Sequence, residues 1–276
     1  MSGKEVLDSR GLTEEEFLKI YKPGDYERPS VTVDMLLFTT KQETVDYKKL
    51  NKFKLQIGLI KRKGHPFINH WAICGGFVDM KENLDEAAKR ELLEETNISD
   101  VYMEQLYTFG DVGRDPRMRV IDVVYYALIP EQKLKESKYK AGDDASDIAF
   151  FDISLKDNYL ILINEEKEEF IQYRTDTFEL SAESTSGLAF DHIKILYMAI
   201  KRMQNKLFYT DIAFHLLPEE FTLSEVQIVF ETILNKPLVK QNFRTKILNT
   251  GLLEETDKKF SGKGYRPSML YKLKTT

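Results

Sequence analysis

The sequence has little of what would stabilise a small secreted protein, build a zinc site or cross a membrane. Cys74 is its only cysteine, so no disulfide can form within the chain, and a reducing compartment is expected. The four histidines are scattered and show no zinc-binding spacing. No apolar run is long enough to span a bilayer, and residues 1–17 lack the apolar core of a signal peptide. We therefore expect a cytoplasmic protein that does not contact the membrane.

What the sequence does contain is charge that is unevenly distributed along the chain. A length of 276 residues is enough for two domains. From Ala189 to the end, 14 lysines and arginines stand against 9 acidic residues, whereas the preceding part has 26 against 36. The acidic part suits multivalent cations as partners, and the basic part suits polyanions.

Apolar runs mixed with one strong helical segment predict an α+β fold. Strands are expected over Val31–Thr40, Phe53–Ile60, Trp71–Phe77, Val101–Phe109, Val120–Ile129 and Ile148–Ile153. The first strong helix is expected over Leu84–Thr96, after a short acidic helix near the N-terminus. This mixture favours a sheet covered by helices.

A change of pattern near residue 188 predicts the domain boundary. Residues 155–186 are polar and irregular, with one hairpin expected from Tyr159 to Tyr173. Residues 181–187 have the composition of a linker, and a helical period follows them. We therefore expect a first domain over residues 1–187 and a second over residues 188–276.

The helix over Leu84–Thr96 carries acidic side chains where an apolar face is expected. Each residue of an α-helix advances by about 100°, which places Glu91 and Glu95 beside Leu84 and Ala88, with Glu94 at the margin. Burying unpaired carboxylates is costly, and a divalent cation such as Mg²⁺ or Mn²⁺ removes that cost. The alternative is a solvated acidic face, which would place the glutamates opposite the apolar residues.

Residues 75–98 resemble the Nudix box. Its positions are filled, at the family's spacing, by Gly76, Glu82, Arg90, Glu91, Leu92, Glu94, Glu95 and Ile98. Asn97 stands where the family has glycine, and asparagine is the next most tolerant residue in the left-handed conformation that ends such a helix. The resemblance implies a Nudix α/β/α sandwich with a mixed sheet and Mg²⁺-dependent hydrolysis of a nucleoside diphosphate linked to another group.

The Nudix resemblance also implies roles for single residues. The implied metal ligands are Glu91, Glu94, Glu95 and the carbonyl oxygen of Gly75. Arg90 is expected to orient a glutamate through a bidentate pair, and Glu82 to brace the loop before the helix, with Gly76 as a structural position. Glu94 could instead act as a base toward the attacking water, which leaves Glu94 and Glu95 as catalytic candidates.

Two further segments bear on the substrate. Residues 110–119 resemble a loop of ADP-ribose pyrophosphatases, which makes Arg114 and Arg117 candidates for binding the diphosphate or the terminal ribose. Residues 141–147 resemble the place from which Nudix enzymes supply a late acidic ligand or base. Asp144 is the first candidate, with Asp143 and Asp147 as alternatives. Both segments could instead be plain surface turns.

The C-terminal part has the pattern of a winged helix-turn-helix domain. Thr222 and Glu225 form a capping box for a helix that ends near Leu234, and a second helix is expected over Lys240–Asn249. Two strands around a basic loop follow as a wing. Candidate DNA contacts are Lys240, Gln241, Arg244, Lys246, Lys263 and Arg266. We expect Phe243, Ile247 and Leu248 to face the core. A dimerisation or protein-docking role is the alternative.

The resemblance extends to this second part of the chain. The runs LAFDH, LLPEEFTLSEVQ, NFRTKIL, TGLLEET and GYRPSMLY are similar to the Nudix-related transcriptional regulators of NAD metabolism. That resemblance implies that a Nudix domain senses ADP-ribose or another metabolite while a homodimer binds operator DNA. Many such regulators have lost the catalytic glutamates, whereas this chain keeps them. Two functions therefore remain open, an ADP-ribose pyrophosphatase and a ligand-responsive repressor.

Overall fold

The computed structural model describes residues 6–25, 27–43, 52–142, 145–260 and 267–274. The candidates Asp143, Asp144, Lys263 and Arg266 lie outside these ranges. The strands are β1 (Ser30–Glu43), β2 (Lys52–Arg62), β3 (Trp71–Ala72), β4 (Cys74–Phe77), β5 (Tyr102–Phe109), β6 (Val120–Ile129), β7 (Ala145–Lys156), β8 (Tyr159–Asn164), β9 (Glu169–Arg174), β10 (Leu253–Phe260) and β11 (Ser268–Leu273). The α-helices are α1 (Glu14–Ile20), α2 (Leu84–Thr96), α3 (Glu131–Ser137), α4 (His192–Lys206), α5 (Leu223–Leu234) and α6 (Lys240–Asn249).

The first nine strands form one mixed sheet. Its order is β5-β6-β1-β2-β7-β8-β9, with β3 added to β2 and β4 added to β1. Strands β1 and β6 are parallel, and the other pairs are antiparallel. This arrangement confirms the α+β fold class expected from the sequence. The hairpin expected from Tyr159 to Tyr173 is formed by β8 and β9.

The two faces of this sheet are covered by different helices. On β1, Val33, Met35 and Leu37 share a buried cluster with side chains of α2. Leu36 and Phe38 point to the opposite face, where the buried cluster includes α4 and the C-terminal part of the chain. The resulting order of layers is helix, sheet, helix. Among the described residues, none of the helices is both long and apolar enough to cross a membrane.

The single strand expected over Trp71–Phe77 is divided into β3 and β4. The Ile73 N–H between them donates to the Nδ1 atom of His192 at 2.9 Å instead of to a neighbouring strand. Because this partner lies more than a hundred residues further along the chain, no local pattern could show the break. This hydrogen bond holds His192 beside the site described below.

Helix α2 has the bounds expected from the sequence, and both its ends are capped. Asn83 and Glu86 form a capping box at the N-terminus. At the C-terminus, Asn97 adopts the left-handed conformation with φ 59°, and its N–H donates to the carbonyl oxygen of Leu93. Asparagine therefore takes the conformation expected of the glycine that it replaces.

The C-terminal part forms a winged helix, as expected. Thr222 and Glu225 make the capping box of α5, α6 follows a short turn, and β10 pairs with β11. Phe243 and Ile247 are buried in the common core. The expectation for Leu248 is wrong, because its side chain is 45% exposed. It follows Ile247 directly, and successive residues of a helix do not share a face.

The segment around the expected boundary is bound to the sheet. The Trp71 N–H donates to the carbonyl oxygen of Gly187, and the Ala189 N–H donates to the carbonyl oxygen of Trp71. Helix α5 also reaches the sheet, where the Thr232 hydroxyl oxygen lies 3.3 Å from the carbonyl oxygen of Phe53. A boundary at Leu188 stays a prediction, and the two parts that it separates share one hydrophobic core.

Candidate functional site

A pocket of about 470 Å³ lies beside α2 at one end of the sheet. Strands β1, β2 and β4, the loop of residues 110–119 and the segment before α4 all contribute to its wall. The lining combines carboxylates such as Asp34 and Glu95 with the arginines 62, 114 and 117 and with two aromatic rings, Phe77 and Phe190. Charged groups of both signs therefore face the same space.

The three glutamates of α2 differ in their surroundings. Glu91 is 9% exposed, and its carboxylate lies against the backbone of Gly76. Glu95 is half-buried, and its Oε2 atom accepts a hydrogen bond of 2.9 Å from the Gly75 N–H. Glu94 is exposed. The burial expected from helix geometry is thus observed for Glu91 and Glu95 but not for Glu94.

Arg90 binds three of the acidic side chains of the motif. Its guanidinium donates to Glu82 at 2.6 and 2.9 Å, to Glu91 at 2.7 Å and to Glu94 at 3.1 Å. Glu82 also accepts the Asp79 N–H, which ties down the loop before α2. The hydrogen bonds from Arg90 hold the pKa of Glu82 at about 2. The orienting and bracing geometry expected of Arg90 and Glu82 is therefore present.

Gly76 allows α2 to approach β4 closely, and Gly75 allows β4 to lie close to β1. A Cβ atom at position 76 would lie 2.3 Å from the Oε1 atom of Glu91. At position 75, a Cβ atom would lie 2.2 Å from the carbonyl oxygen of Val33. Both distances are far below van der Waals contact, so a side chain at either position would displace the wall of the pocket.

The chemistry of the buried carboxylates suits a hard divalent cation. Burial raises the pKa of Glu95 to about 7 and that of Asp34 to about 6, and it also raises the pKa of Glu91. A bound cation would relieve this concentration of negative charge. Among the described residues, however, no group of three or more Asp, Glu, His or Cys side chains is arranged so that it could hold a metal ion. The positive charge beside Glu91 and Glu94 is that of Arg90.

The late acidic candidates are only partly described. Asp147 forms an ion pair of 2.5 Å with Lys167 on the hairpin, and its second oxygen accepts the Ile148 N–H. Asp147 is thus held by groups outside the pocket. Asp143 and Asp144 lie outside the described residues, so a role for Asp144 stays a prediction.

The two arginines expected to bind substrate already have carboxylate partners. Arg114 donates to both oxygens of Asp191, at 2.8 and 3.0 Å, and to Asp122 at 3.0 Å, and its side chain is 6% exposed. Arg117 makes a two-pronged pair with Asp115 and is 40% exposed. Both line the pocket, but Arg114 belongs to a buried ion network that joins the loop to the start of α4.

Sequence reasoning missed Asp34 and His192 at the floor of the pocket. The Ile73 N–H donates to Nδ1 of His192, so the proton of the neutral ring is on Nε2, which lies 3.4 Å from Asp34. Burial lowers the pKa of His192 to about 4, which keeps the ring neutral. A carboxylate inside the apolar run of β1 was a signal for Asp34, because an acidic residue is rarely buried without a reason.

The candidate DNA contacts also differ from one another. Lys240 and Gln241 are exposed in the first turn of α6. Arg244 is half-buried and donates to the Ser224 hydroxyl of α5 at 3.3 Å. The Nζ atom of Lys246 lies 3.6 Å from the centroid of the Phe208 ring. The first turn of α6 therefore presents exposed polar side chains, and Lys246 is exposed further along the helix.

Comparisons with known proteins agree with both parts of this description. The NUDIX domain model matches residues 40–173, and the model of the NrtR DNA-binding winged helix domain matches residues 213–273. The chain is 35% identical over 263 residues to the ADPR responsive transcriptional repressor NtrR of Acinetobacter baylyi, covering 94% of this chain and 88% of that protein. It is also 35% identical over 146 residues to the ADP-ribose pyrophosphatase of Methanocaldococcus jannaschii, covering 53% of this chain and 74% of that enzyme.

A solved structure extends the match to the whole architecture. The crystal structure of Shewanella oneidensis NrtR in complex with a 27mer DNA aligns with a TM-score of 0.63 at 30% identity. The alignment covers 88% of this chain and 93% of that one. The chain therefore belongs to the NrtR family, in which a Nudix domain is followed by a DNA-binding winged helix domain.

Proposed function

We propose that this protein is a transcriptional regulator whose winged helix binds operator DNA and whose Nudix domain binds ADP-ribose, or a related nucleoside diphosphate, as its signal. The observation that carries the proposal is the similarity over 94% of the chain to a repressor described as ADPR responsive. A match that included the Nudix domain alone would favour an enzyme, whereas this one includes both domains. A regulator of chromosomal DNA also agrees with the cytoplasmic location expected from the single cysteine.

The pocket offers groups that suit each part of such a ligand. Arginines bind phosphate oxygens, carboxylates accept hydrogen bonds from ribose hydroxyls, and aromatic rings stack on adenine. Phe77 is 42% exposed and lines the pocket together with Phe190. The volume of about 470 Å³ lies within the usual range for small-molecule sites.

The exposed first turn of α6 supports DNA binding. Lys240 and Gln241 would reach base edges or phosphates if α6 enters a major groove. Lys263 and Arg266 of the wing are proposed to contact phosphates. We propose that the regulator binds as a homodimer, because winged helix regulators of this kind use twofold symmetry to recognise two half-sites.

A mobility-shift assay with the DNA upstream of the protein's own gene tests the regulatory proposal. We expect salt-sensitive, sequence-selective binding that ADP-ribose relieves. Replacing Lys240 and Gln241 by alanine should weaken binding about 10-fold or more. The control Lys89→Ala, on the exposed face of α2, should leave binding unchanged. Equal binding to scrambled DNA, or binding that ADP-ribose does not alter, would refute the proposal.

Hydrolysis of the ligand is the second candidate function. It is favoured by the retained glutamates of α2 and by the similarity to an ADP-ribose pyrophosphatase. Glu91, Glu94, Glu95 and the Gly75 carbonyl oxygen would hold Mg²⁺ or Mn²⁺, which, when bound, polarises the diphosphate and lowers the pKa of the attacking water. Arg90 orients the glutamates, and the Gly75 N–H holds the carboxylate of Glu95. Asp144 is proposed as a further acidic group of this site.

Glu95→Gln separates hydrolysis from sensing. We expect this variant to lose at least about 100-fold of any Mg²⁺-dependent release of AMP from ADP-ribose, since a carboxylate needed for acid–base or metal chemistry is removed. The exposed Glu136→Gln on α3 is the control. Full turnover by Glu95→Gln would reject the catalytic assignment, and release of DNA by ADP-ribose in the same variant would show that sensing does not require hydrolysis.

A further inference from the structure

The three arginines of the pocket differ in their ionic partners. Arg114 and Arg117 each make a two-pronged pair with a carboxylate, Asp191 and Asp115 respectively. Arg62, at the end of β2, donates from Nε to the carbonyl oxygen of Pro66 at 2.8 Å. Within the part of the chain that the structure describes, no carboxylate forms an ion pair with Arg62. Both of its terminal nitrogens are thus without an acidic partner among the described residues, whereas Arg114 and Arg117 each use one terminal nitrogen in an ion pair.

Arg62 and Arg117 lie close to the same aromatic ring. The guanidinium carbons are 5.1 and 5.7 Å from the centroid of the Phe190 ring. Phe190 adopts φ 49°, a conformation that bulky residues rarely take, so the ring is placed there by the surrounding structure. The segment before α4 therefore places the Phe190 ring beside Arg62 of β2 and Arg117 of the 110–119 loop.

Two guanidinium groups beside the same ring repel each other, and an anion bound between them would offset that repulsion further than the Asp115 carboxylate on Arg117 does alone. Burial and the charge of Arg117 lower the pKa of Arg62, although Arg62 remains protonated at neutral pH. The acidic groups that also act on Arg62 are Glu95, Asp115 and Asp34, and none of them pairs with it. A diphosphate carries the charge and the oxygen spacing that two guanidinium forks bind best.

We propose that Arg62, together with Arg117 beside the Phe190 ring, binds the diphosphate of the ligand, and that Arg114 instead holds the wall of the pocket. This inference rests on the proposed function, because it assumes a nucleoside diphosphate ligand. It changes the expectation from sequence, in which Arg114 and Arg117 were the candidates for binding the diphosphate or the terminal ribose. Arg62 ends β2 and lies outside the 110–119 loop that contains Arg114 and Arg117.

Calorimetric titration of the full chain carrying Arg62→Gln tests the assignment. We expect the dissociation constant of ADP-ribose to rise about 10- to 100-fold, the usual consequence of losing a hydrogen-bonded ion pair. Adenosine has no phosphate, so its binding should change by less than about threefold. Arg62→Lys keeps the charge and loses the planar fork, and we expect an intermediate effect on ADP-ribose.

Arg119→Gln is the matched control. Arg119 is the last residue of the 110–119 loop. It is exposed and donates to the carbonyl oxygen of Asp111, so Arg119→Gln removes one positive charge outside the pocket. The dissociation constants of Arg119→Gln for ADP-ribose and for adenosine should stay within about threefold of the wild-type values. A melting curve for each variant identifies effects that come from unfolding, and Arg62→Lys decides the matter if Arg62→Gln does not fold.

The outcomes separate this inference from the proposed function. If Arg62→Gln binds ADP-ribose as tightly as the wild type, or loses adenosine binding equally, the assignment of the diphosphate to Arg62 is overturned. If the wild type binds no ADP-ribose, the proposed function fails, and titration with inorganic pyrophosphate then tests the anion site alone. Pyrophosphate binding that is equal in wild type and Arg62→Gln would overturn the assignment of the diphosphate to Arg62.

Discussion

Gly75 is the residue on which the close contact between β4 and β1 depends. A Cβ atom here would meet the Val33 carbonyl oxygen at 2.2 Å and the Cα atom of Asp34 at 2.8 Å. Because these atoms belong to the backbone of β1, they cannot rotate away as a side chain would. We expect Gly75→Ala to lower the free energy of unfolding by about 1–3 kcal/mol, the range for overpacking. Urea denaturation measures this change.

Gly64→Ala provides the comparison for Gly75. No heavy atom lies within 4 Å of the position that a Cβ atom would take at Gly64. This variant should keep the wild-type stability within about 0.5 kcal/mol. Equal stabilities of the two alanine variants would mean that β1 yields easily and that the close approach seen at Gly75 is not a constraint.

Asn97 supports a second prediction at the residue scale. Its φ of 59° is left-handed, a conformation that costs an alanine roughly 1–2 kcal/mol. We therefore expect Asn97→Ala to be about 1 kcal/mol less stable than Asn97→Gly, which restores the residue usual at this position of the motif. Thermal unfolding of the two variants checks the difference. An alanine variant as stable as the glycine variant would count against the left-handed cap.

Single residues could be predicted from sequence where a motif or a helix period names them. The burial of Glu91 and Glu95 followed from helix geometry, and the left-handed Asn97 followed from the position it occupies in the motif. The partners of Arg114 could not be predicted in this way. Asp191 lies 77 residues beyond it, and only the folded sheet brings the two together.

At the scale of elements, local patterns predicted most helices and strands and failed where a distant group intervenes. Helices α2 and α6 and strand β6 have the expected bounds, because capping residues and apolar periods are local signals. The division between β3 and β4 depends on His192, and therefore on α4. Strand pairing has the same limitation, since no periodicity predicts which strands lie beside β1.

The hairpin of β8 and β9 is attached to the segment before α4 through Glu169. One carboxylate oxygen of Glu169 accepts the hydroxyls of Thr185 and Ser186 at 2.7 and 2.6 Å, and the other accepts Lys61 at 3.0 Å. Burial alone would raise the pKa of Glu169, but these hydrogen bonds hold it at about 2, below the ordinary value of 4.5. The ionised carboxylate therefore stabilises the folded state.

Glu169→Gln should show how this contribution depends on pH. Because the folded pKa lies below the unfolded one, the contribution is complete above about pH 5 and is lost as the pH falls toward 2. We expect the variant to be about 1 kcal/mol less stable than the wild type at pH 7, allowing for solvent screening. Denaturant midpoints of the variant and the wild type, measured at pH 7 and at pH 3, give the stability difference at each pH.

The neighbouring Glu165→Gln, on the exposed turn of the same hairpin, serves as the control and should show no such trend. A stability difference for Glu169→Gln that is the same at both pH values would mean that the charge of Glu169 does not carry the effect.

At the scale of the whole molecule, α4 connects the pocket with the winged helix. Its first residue, His192, lines the pocket, and Asp191 just before it binds Arg114. Near its other end, the Gln204 side chain donates to the Ile233 carbonyl oxygen of α5 at 2.9 Å. Phe208, two residues beyond α4, contacts Lys246 of α6. A change in the pocket that moves Asp191 would therefore reach both helices of the DNA-binding motif.

Asp191→Asn tests whether this helix transmits the effect of the ligand in the proposed regulator. The substitution weakens the tie between the loop and α4 and removes one negative charge, yet Arg114 keeps Asp122 as a buried partner at 3.0 Å. We expect ADP-ribose and DNA each to bind nearly as in the wild type, while the factor by which ADP-ribose weakens DNA binding falls from the usual allosteric range of about 5- to 150-fold toward one. Fluorescence anisotropy of labelled operator DNA, with and without saturating ADP-ribose, measures that factor directly.

The exposed Asp176→Asn, which removes one negative charge from the ion pair with Arg174 outside the pocket, is the matched control and should keep the wild-type factor. Thermodynamic linkage requires that DNA weaken the binding of ADP-ribose by the same factor by which ADP-ribose weakens the binding of DNA. The affinity for ADP-ribose measured with DNA bound therefore gives an independent value of the coupling. If both measurements retain the wild-type factor in Asp191→Asn, the signal passes from the pocket to the DNA by a route other than α4, and the common hydrophobic core of the two domains is the remaining physical connection.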